Sequence, residues 1–238
     1  MKELLLSGGA PNNPEPTGDV LFLYDPETSK DLISGQVCVA LSGGAAVDNI
    51  TKIDGKGTLK LVGGGSQGLI TFPTPLSLEV LSEWTVEWVS RPISIQSGYV
   101  TEMFIDTSPS SGYPIGCRWP DGGYGNRAQF NLSNWANENI WHPPFAKAAA
   151  EGNTIRWAMV YKGGLIRIYK DGIKQSLAAG TSGIYDKDFI SKTVSWPVYH
   201  KIYLGYFNGT NSAWTGNFGR LRISNFARYL ANYTPVPF

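Results

Sequence analysis

Residues 83–89 alternate without a break: Trp84, Val86 and Trp88 fall on one side, and Glu83, Thr85 and Glu87 on the other. A period of two is the signature of a strand whose two faces meet different surroundings. The pattern constrains the whole chain, because one half-buried strand needs partners on both edges and a second layer over its apolar face. The partners are legible. Strands are predicted over 19–24, 58–62, 68–72, 100–106, 115–119, 128–132, 201–206 and 217–224. The clearest run is a meander over 154–161, 165–169 and 173–175, joined by Gly163-Gly164 and Asp171-Gly172. Asp-Gly marks a two-residue hairpin because both positions tolerate positive φ. A further hairpin is expected where 58–62 and 68–72 flank Gly63-Gly64-Gly65-Ser66. About a dozen short strands exceed what one open sheet holds flat, so the expected fold is an all-β, two-sheet antiparallel sandwich.

Composition agrees. The 238 residues include 8 Trp, 12 Tyr, 10 Phe, 28 Gly and 15 Pro, which suit pleated surfaces and the turns between them. A single domain of this size buries roughly three-quarters of its unfolded surface and needs no staples. Helices are expected only as short pieces, over 144–151 and as one turn over 224–230 capped by Ser224. Residues 1–18 separate from the sandwich at 19–238. They hold an edge strand over 3–7 and a Pro, Gly and Asn-rich stretch, read as a connection or as a docking arm.

Charge narrows the function. With 20 basic and 19 acidic residues the net charge is +1, and no basic stripe is present to replace phosphate counterions, which argues against nucleic acid. No window resembles a membrane span or a signal peptide, so synthesis in a cytoplasm is expected. Cys38 and Cys117 lack zinc spacing and favour two buried thiols over a disulfide. Sequons at Asn49, Asn131, Asn208 and Asn232 read as chance occurrences.

Several segments, in order, resemble the laminin G-like members of the concanavalin A-like superfamily. They are Ile53-Asp54-Gly55-Lys56-Gly57-Thr58-Leu59, Trp84-Thr85-Val86-Glu87-Trp88-Val89, Ile155 to Tyr161 followed by Ile168 to Gly172, and Gly216 to Ser224. The resemblance implies a concanavalin A-like jelly roll. The ending, Ala227-Arg228-Tyr229-Leu230-Ala231-Asn232-Tyr233-Thr234-Pro235, is similar to such domains in bacteriophage virion proteins. It implies a place on a virion, with other capsid or tail proteins as partners.

The superfamily also contains glycoside hydrolases whose strand carries Glu-x-Asp-x-x-Glu or Glu-x-Asp-x-Glu. Glu83 and Glu87 share one face here, but Thr85 stands where the central Asp belongs. Their Cα atoms are about 13 Å apart on a strand, wide for a pair of acting carboxylates. His142 and His200 lack a nucleophile on a constrained turn, and no Gly-x-Ser-x-Gly is present. No catalytic residue is therefore assigned. No cofactor is expected, although relatives hold calcium at a sheet rim, and Asp106, Asp121 and Asp186 lie in loops that could converge.

Ligand binding is placed on aromatic loops instead. Trp119, Tyr124, Trp135 and Trp141 are interleaved with Asn residues, and Asn208, Asn211 and Trp214 form a second polar-aromatic loop. Aromatic faces stack on sugar rings while amides bond hydroxyls, so these residues are the expected glycan or partner surface, against core packing for any single Trp. The functional expectation is a non-enzymatic bacteriophage virion-surface protein, a capsid decoration or a tail or fibre component, that contacts bacterial polysaccharide. The alternatives are a free-standing lectin-like module and, last, a glycoside hydrolase. Assembly into a homo-oligomer is left open.

Overall fold

A computed structural model of the chain describes residues 20–78, 82–95, 100–106, 115–119, 128–132, 140–141, 146–163, 165–175, 198–205 and 214–238. The expected strand over 3–7 and the arm that follows lie outside these. The described residues form two antiparallel sheets. In chain order the strands are β1 (Val20–Asp25), β2 (Lys30–Asp31), β3 (Val39–Ser42), β4 (Ala46–Ile53), β5 (Lys56–Val62), β6 (Gln67–Ser77), β7 (Glu83–Ile95) and β8 (Val100–Asp106). There follow β9 (Ile115–Trp119), β10 (Gln129–Leu132), β11 (Ile140–Trp141), a helical turn α1 (Lys147–Ala150), β12 (Ile155–Lys162), β13 (Leu165–Lys170), β14 (Ile173–Lys174), β15 (Val198–Leu204) and β16 (Trp214–Ser224). No helix among the described residues is long and apolar enough to cross a membrane.

The first sheet runs β14-β13-β12-β7-β16-β1-β2, with β5 also on β16 and β4 on β5. Strand β16 is its axis. Thr215 to Phe218 pair with β5, Leu221 to Ser224 pair with β1, and the opposite edge pairs with β7. The second sheet runs β11-β10-β9-β8-β15-β6-β3. Between them lies one core, in which Trp84, Trp88, Trp119, Trp157 and Trp214 are all fully buried. The Phe130 ring stands edge-on to Trp157 at 4.8 Å and tilted to Trp88 at 6.1 Å, so it joins the sheets through their largest side chains.

The structure corrects two expectations. Residues 63–66 do not close a hairpin, because β5 belongs to the first sheet and β6 to the second. Gly63, Gly64 and Gly65 all take positive φ (76°, 58° and 91°), which throws the chain across the sandwich so that Leu61 and Ile70 both reach the core. The hairpin in this region is one element earlier, where Asp54 (φ 54°) and Gly55 (φ 76°) join β4 to β5. Asp171 (φ 49°) and Gly172 (φ 79°) do the same between β13 and β14, as expected.

No helical turn follows Ser224. There Thr85 Oγ1 donates to the Phe226 carbonyl at 2.7 Å and accepts from the Arg228 amide at 3.0 Å, which holds the chain open against the first sheet. The helix expected over 144–151 is α1 within its described part. Cys38 and Cys117 are both free and buried.

Replacing Phe130 with Ala should lower the free energy of unfolding by about 3–5 kcal/mol. Chemical denaturation measures this, and a loss under about 1 kcal/mol would mean that the ring does not join the sheets.

Candidate functional site

The outer surfaces of the two sheets differ in kind. Over the first sheet lies the end of the chain itself. Tyr229 stacks on Tyr233 at 3.5 Å, both rings stand against buried Tyr169, and the Tyr233 amide donates to the Gly172 carbonyl. Beneath this strap Glu87 accepts from Arg222 Nε at 2.8 Å and from the Tyr229 hydroxyl at 2.6 Å, with Arg228 Nε at 3.3 Å. Glu83 pairs with Lys162 at 2.7 Å, and that hydrogen bond holds its carboxyl below the usual range. The two carboxylates that resembled a hydrolase pair are thus engaged separately, one of them buried under guanidinium groups and a phenol.

The face of the second sheet turned away from the core is of another composition. Residues that meet across strands share a face, and two rows emerge. Thr101, Arg118 and Gln129 stand opposite one another on β8, β9 and β10. Tyr203, Phe104 and Gly116 do so on β15, β8 and β9. Their neighbours Val100, Met103, Ile105, Ile115, Cys117, Trp119, Phe130, Ile202 and Leu204 point into the core, which fixes the direction of both rows. Gly116 is required by contact: a Cβ there would lie 2.0 Å from Phe104 Cδ1, so the phenyl ring lies down over the glycine. Thr101, Arg118 and Gln129 are buried although they face outward, while Tyr203 in the neighbouring row, and Lys201 two residues before it on β15, are half-buried. Buried polar groups on an outward face are the informative departure from ordinary surface chemistry. This row combines a guanidinium, an amide and a hydroxyl, all held below the surface of the face.

Directly behind the row sits a second polar group, in the core. Glu102 Oε1 accepts from Trp88 Nε1 at 2.7 Å and Ser90 Oγ at 2.6 Å, and Oε2 accepts from Trp119 Nε1 at 2.8 Å. Burial pushes this carboxyl above its ordinary range, against the opposing pull of the three hydrogen bonds. Burial first, and the charge of Glu102 second, raise the Cys117 thiol well above its ordinary value. The Cys38 thiol is pushed up to about 12, chiefly by burial.

The predicted binding residues are redistributed. Trp119 and Trp214 are fully buried and offer no stacking face, which corrects their placement on a ligand surface. The physical reason is strand alternation. Ile115, Cys117 and Trp119 form the inward set of β9, and Trp214 begins β16 against Ile95. Trp141 lies on β11 opposite Phe130. Tyr124, Trp135, Asn208 and Asn211 lie outside the described residues, as do Asp121 and Asp186. Trp119, Val100, Leu204 and Trp214 all stand at one end of the sandwich. The stretches carrying Tyr124 and those carrying Asn208 and Asn211 therefore leave from the same end. Trp135 follows Leu132, which pairs with Ile115 at the opposite end. Among the described residues no group of three His, Cys, Asp or Glu is gathered to hold a metal.

Comparison with solved structures agrees with this architecture. Domain 4 of AbnA, a GH43 extracellular arabinanase from Geobacillus stearothermophilus, in complex with arabinotriose, superposes with a TM-score of 0.59 at 13% identity, covering 88% of this chain and 93% of that one. Trypanosoma rangeli sialidase in complex with sialic acid gives 0.60 at 12% identity over 90% of this chain and 32% of that one. The binding domain of Paraclostridial Mosquitocidal Protein 1 gives 0.61 at 10% identity over 89% and 50%. The fold is a two-sheet jelly-roll sandwich. At these identities the likeness shows the fold alone. The chain spans nearly the whole of the arabinanase domain, but about a third of the sialidase and half of the mosquitocidal chain. No family model and no curated protein matches the sequence.

Because Arg222 is buried against Glu87, Glu87→Gln should cost about 3–5 kcal/mol of stability by leaving that guanidinium uncompensated. Equilibrium denaturation reads it. A variant of unchanged stability would show that the carboxylate is free for another role.

Proposed function

We propose that this chain is a non-catalytic glycan-binding module on the surface of a bacteriophage virion, as a capsid decoration or a tail or fibre component. The observation that carries glycan binding is the pair of half-buried residues Tyr203 and Lys201 on the outward face of β15, with the buried polar row of Thr101, Arg118 and Gln129 alongside on the same sheet. A sugar ring presents hydroxyls that donate and accept, and an apolar CH face suited to an aromatic ring. Tyr203 supplies an aromatic ring and a hydroxyl, and Lys201 a donor, two residues apart on β15. The arabinanase domain that the chain matches almost end to end was solved with an oligosaccharide, which supports the same class of ligand.

Three further points bear on the reading. Glu83 and Glu87 are held in separate structural pairs, which supports binding without hydrolysis. The virion assignment is supported by the similarity of residues 227–235 to the endings of laminin G-like domains in phage proteins. The partners proposed are other virion proteins and bacterial surface polysaccharide, and the reading calls for no cofactor.

The test is a glycan array with the full chain beside Tyr203→Ala and Lys201→Ala. Saturable binding that weakens at least tenfold in both variants, a change of about 1.4 kcal/mol, is the expected result. A blank array from folded protein, or binding unaffected by either change, would contradict the reading. Sedimentation with phage particles separates a virion component from a free lectin. Release of reducing ends would replace both with a hydrolase.

A further inference from the structure

Glu102 is carried by a β-bulge. Thr101 pairs with Arg118 and Met103 with Cys117, so Glu102 is the extra residue on β8, and it and Met103 both turn into the core. The same bulge sets Thr101 in line with Arg118 on the outward face. Bulges re-aim side chains beside binding sites, and this one places a carboxyl immediately behind the polar row. The backbone of Glu102 is engaged as well: its carbonyl accepts from the Gly205 amide at 3.1 Å, at the end of β15. Its carboxyl holds Trp119, the last residue of β9. One residue thus fixes the points from which both polar-aromatic segments leave the sandwich.

The partners of the carboxyl are unequal. The two indole nitrogens can only donate, whereas the Ser90 hydroxyl can donate or accept. The ionised group accepts all three bonds. If a proton binds at Oε1, it can be donated to Ser90 Oγ once the serine hydroxyl turns. Oε1 still accepts from Trp88, and Oε2 still accepts from Trp119. Glutamate is satisfied in both states. Glutamine is satisfied in neither orientation, because its amide N–H groups would confront one indole N–H.

Among the described residues no cation meets the carboxyl to fix the ionised form. The described groups that meet the carboxyl are Trp88 and Ser90 from β7 and Trp119 from β9, with Cys117 of β9 close enough to feel its charge. Of these only the Cys117 thiol titrates, and it remains neutral. Arg118 and Lys201 lie on the outward face of their own sheet, and Glu87, Arg91 and Arg222 on the outward face of the other.

We propose that Glu102 is a positioning residue for the outward face, taking up a proton reversibly through Ser90 and thereby making ligand binding at that end of the sandwich depend on pH. The coupling rests on the glycan reading, but the proton uptake does not. Bonds to the ionised carboxyl are the stronger ones, so Trp119 and the end of β9 are held most firmly, and binding is tightest, above the midpoint. The effect on stability has the opposite sign. A carboxyl raised in the folded protein binds more protons there than in the unfolded chain, so its contribution is full below the ordinary value of 4.5 and is lost as pH rises through the folded value.

The experiment follows tryptophan fluorescence and near-UV circular dichroism of the full chain against pH, for wild type, Glu102→Gln and Ser90→Ala, with sugar retention measured on the same samples. The wild type should show one reversible transition with a midpoint above the ordinary glutamate range. It should vanish in Glu102→Gln and move upward in Ser90→Ala, which loses a donor to the charged form. Retention should strengthen above the same midpoint. No transition in the wild type, or one that persists in Glu102→Gln, overturns the proposal. If Glu102→Gln does not fold, an unmoved midpoint in Ser90→Ala overturns it. A tryptophan transition without any sugar binding would sink the glycan reading and leave the proton uptake standing. A transition with pH-independent retention would sink the coupling.

Discussion

A charged or polar group carried into a core shared by two sheets is costly unless it is met there, and in this protein that demand falls most heavily on Glu102. Its three donors come from β7 and β9, so the same hydrogen bonds that satisfy the carboxyl also tie the first sheet to the second. A buried carboxyl without these donors would cost several kcal/mol. With them, it locks the bulge, the end of β9 and the adjoining end of β15 into one arrangement. The large rings around it, Trp88, Trp119, Trp157 and Phe130, then pack against a fixed frame.

The two outer faces follow from that frame in different ways. The first sheet is closed by its own chain end, since Thr85, Glu87, Tyr169 and Gly172 each hold a residue of the stretch from Phe226 to Tyr233. The second sheet carries no such strap among the described residues. Its outward row is polar and buried, held in line from behind by the bulge. That face is where the proposed glycan would be met, at the half-buried Tyr203 and Lys201.

Much of the fold was legible in the sequence because alternation and turn chemistry are local. Glu83 to Val89, the meander around Asp171-Gly172 and the strands at 100–106 and 115–119 all carry their own signals. The crossing at Gly63 to Ser66 was not, because a glycine run that permits a hairpin equally permits a change of sheet. The site was harder. Counting aromatic residues selected Trp119 and Trp214, but abundance says nothing about which face of a strand is inward. A signal was available: Ile115, Cys117 and Trp119 alternate with Gly116 and Arg118, which already places the tryptophan on the apolar side. Glu102 had none, because the bulge that turns it inward depends on the register of β8 against β9.

Whether the outward face of the seven-stranded sheet is the proposed ligand surface can be read from amide chemical-shift perturbation on adding an oligosaccharide that the protein retains. Shifts should centre on Lys201 and Tyr203 and reach Phe104 opposite, with the strap over the first sheet undisturbed. Shifts confined to Phe226–Tyr233, or none in folded protein at saturating sugar, would contradict that placement.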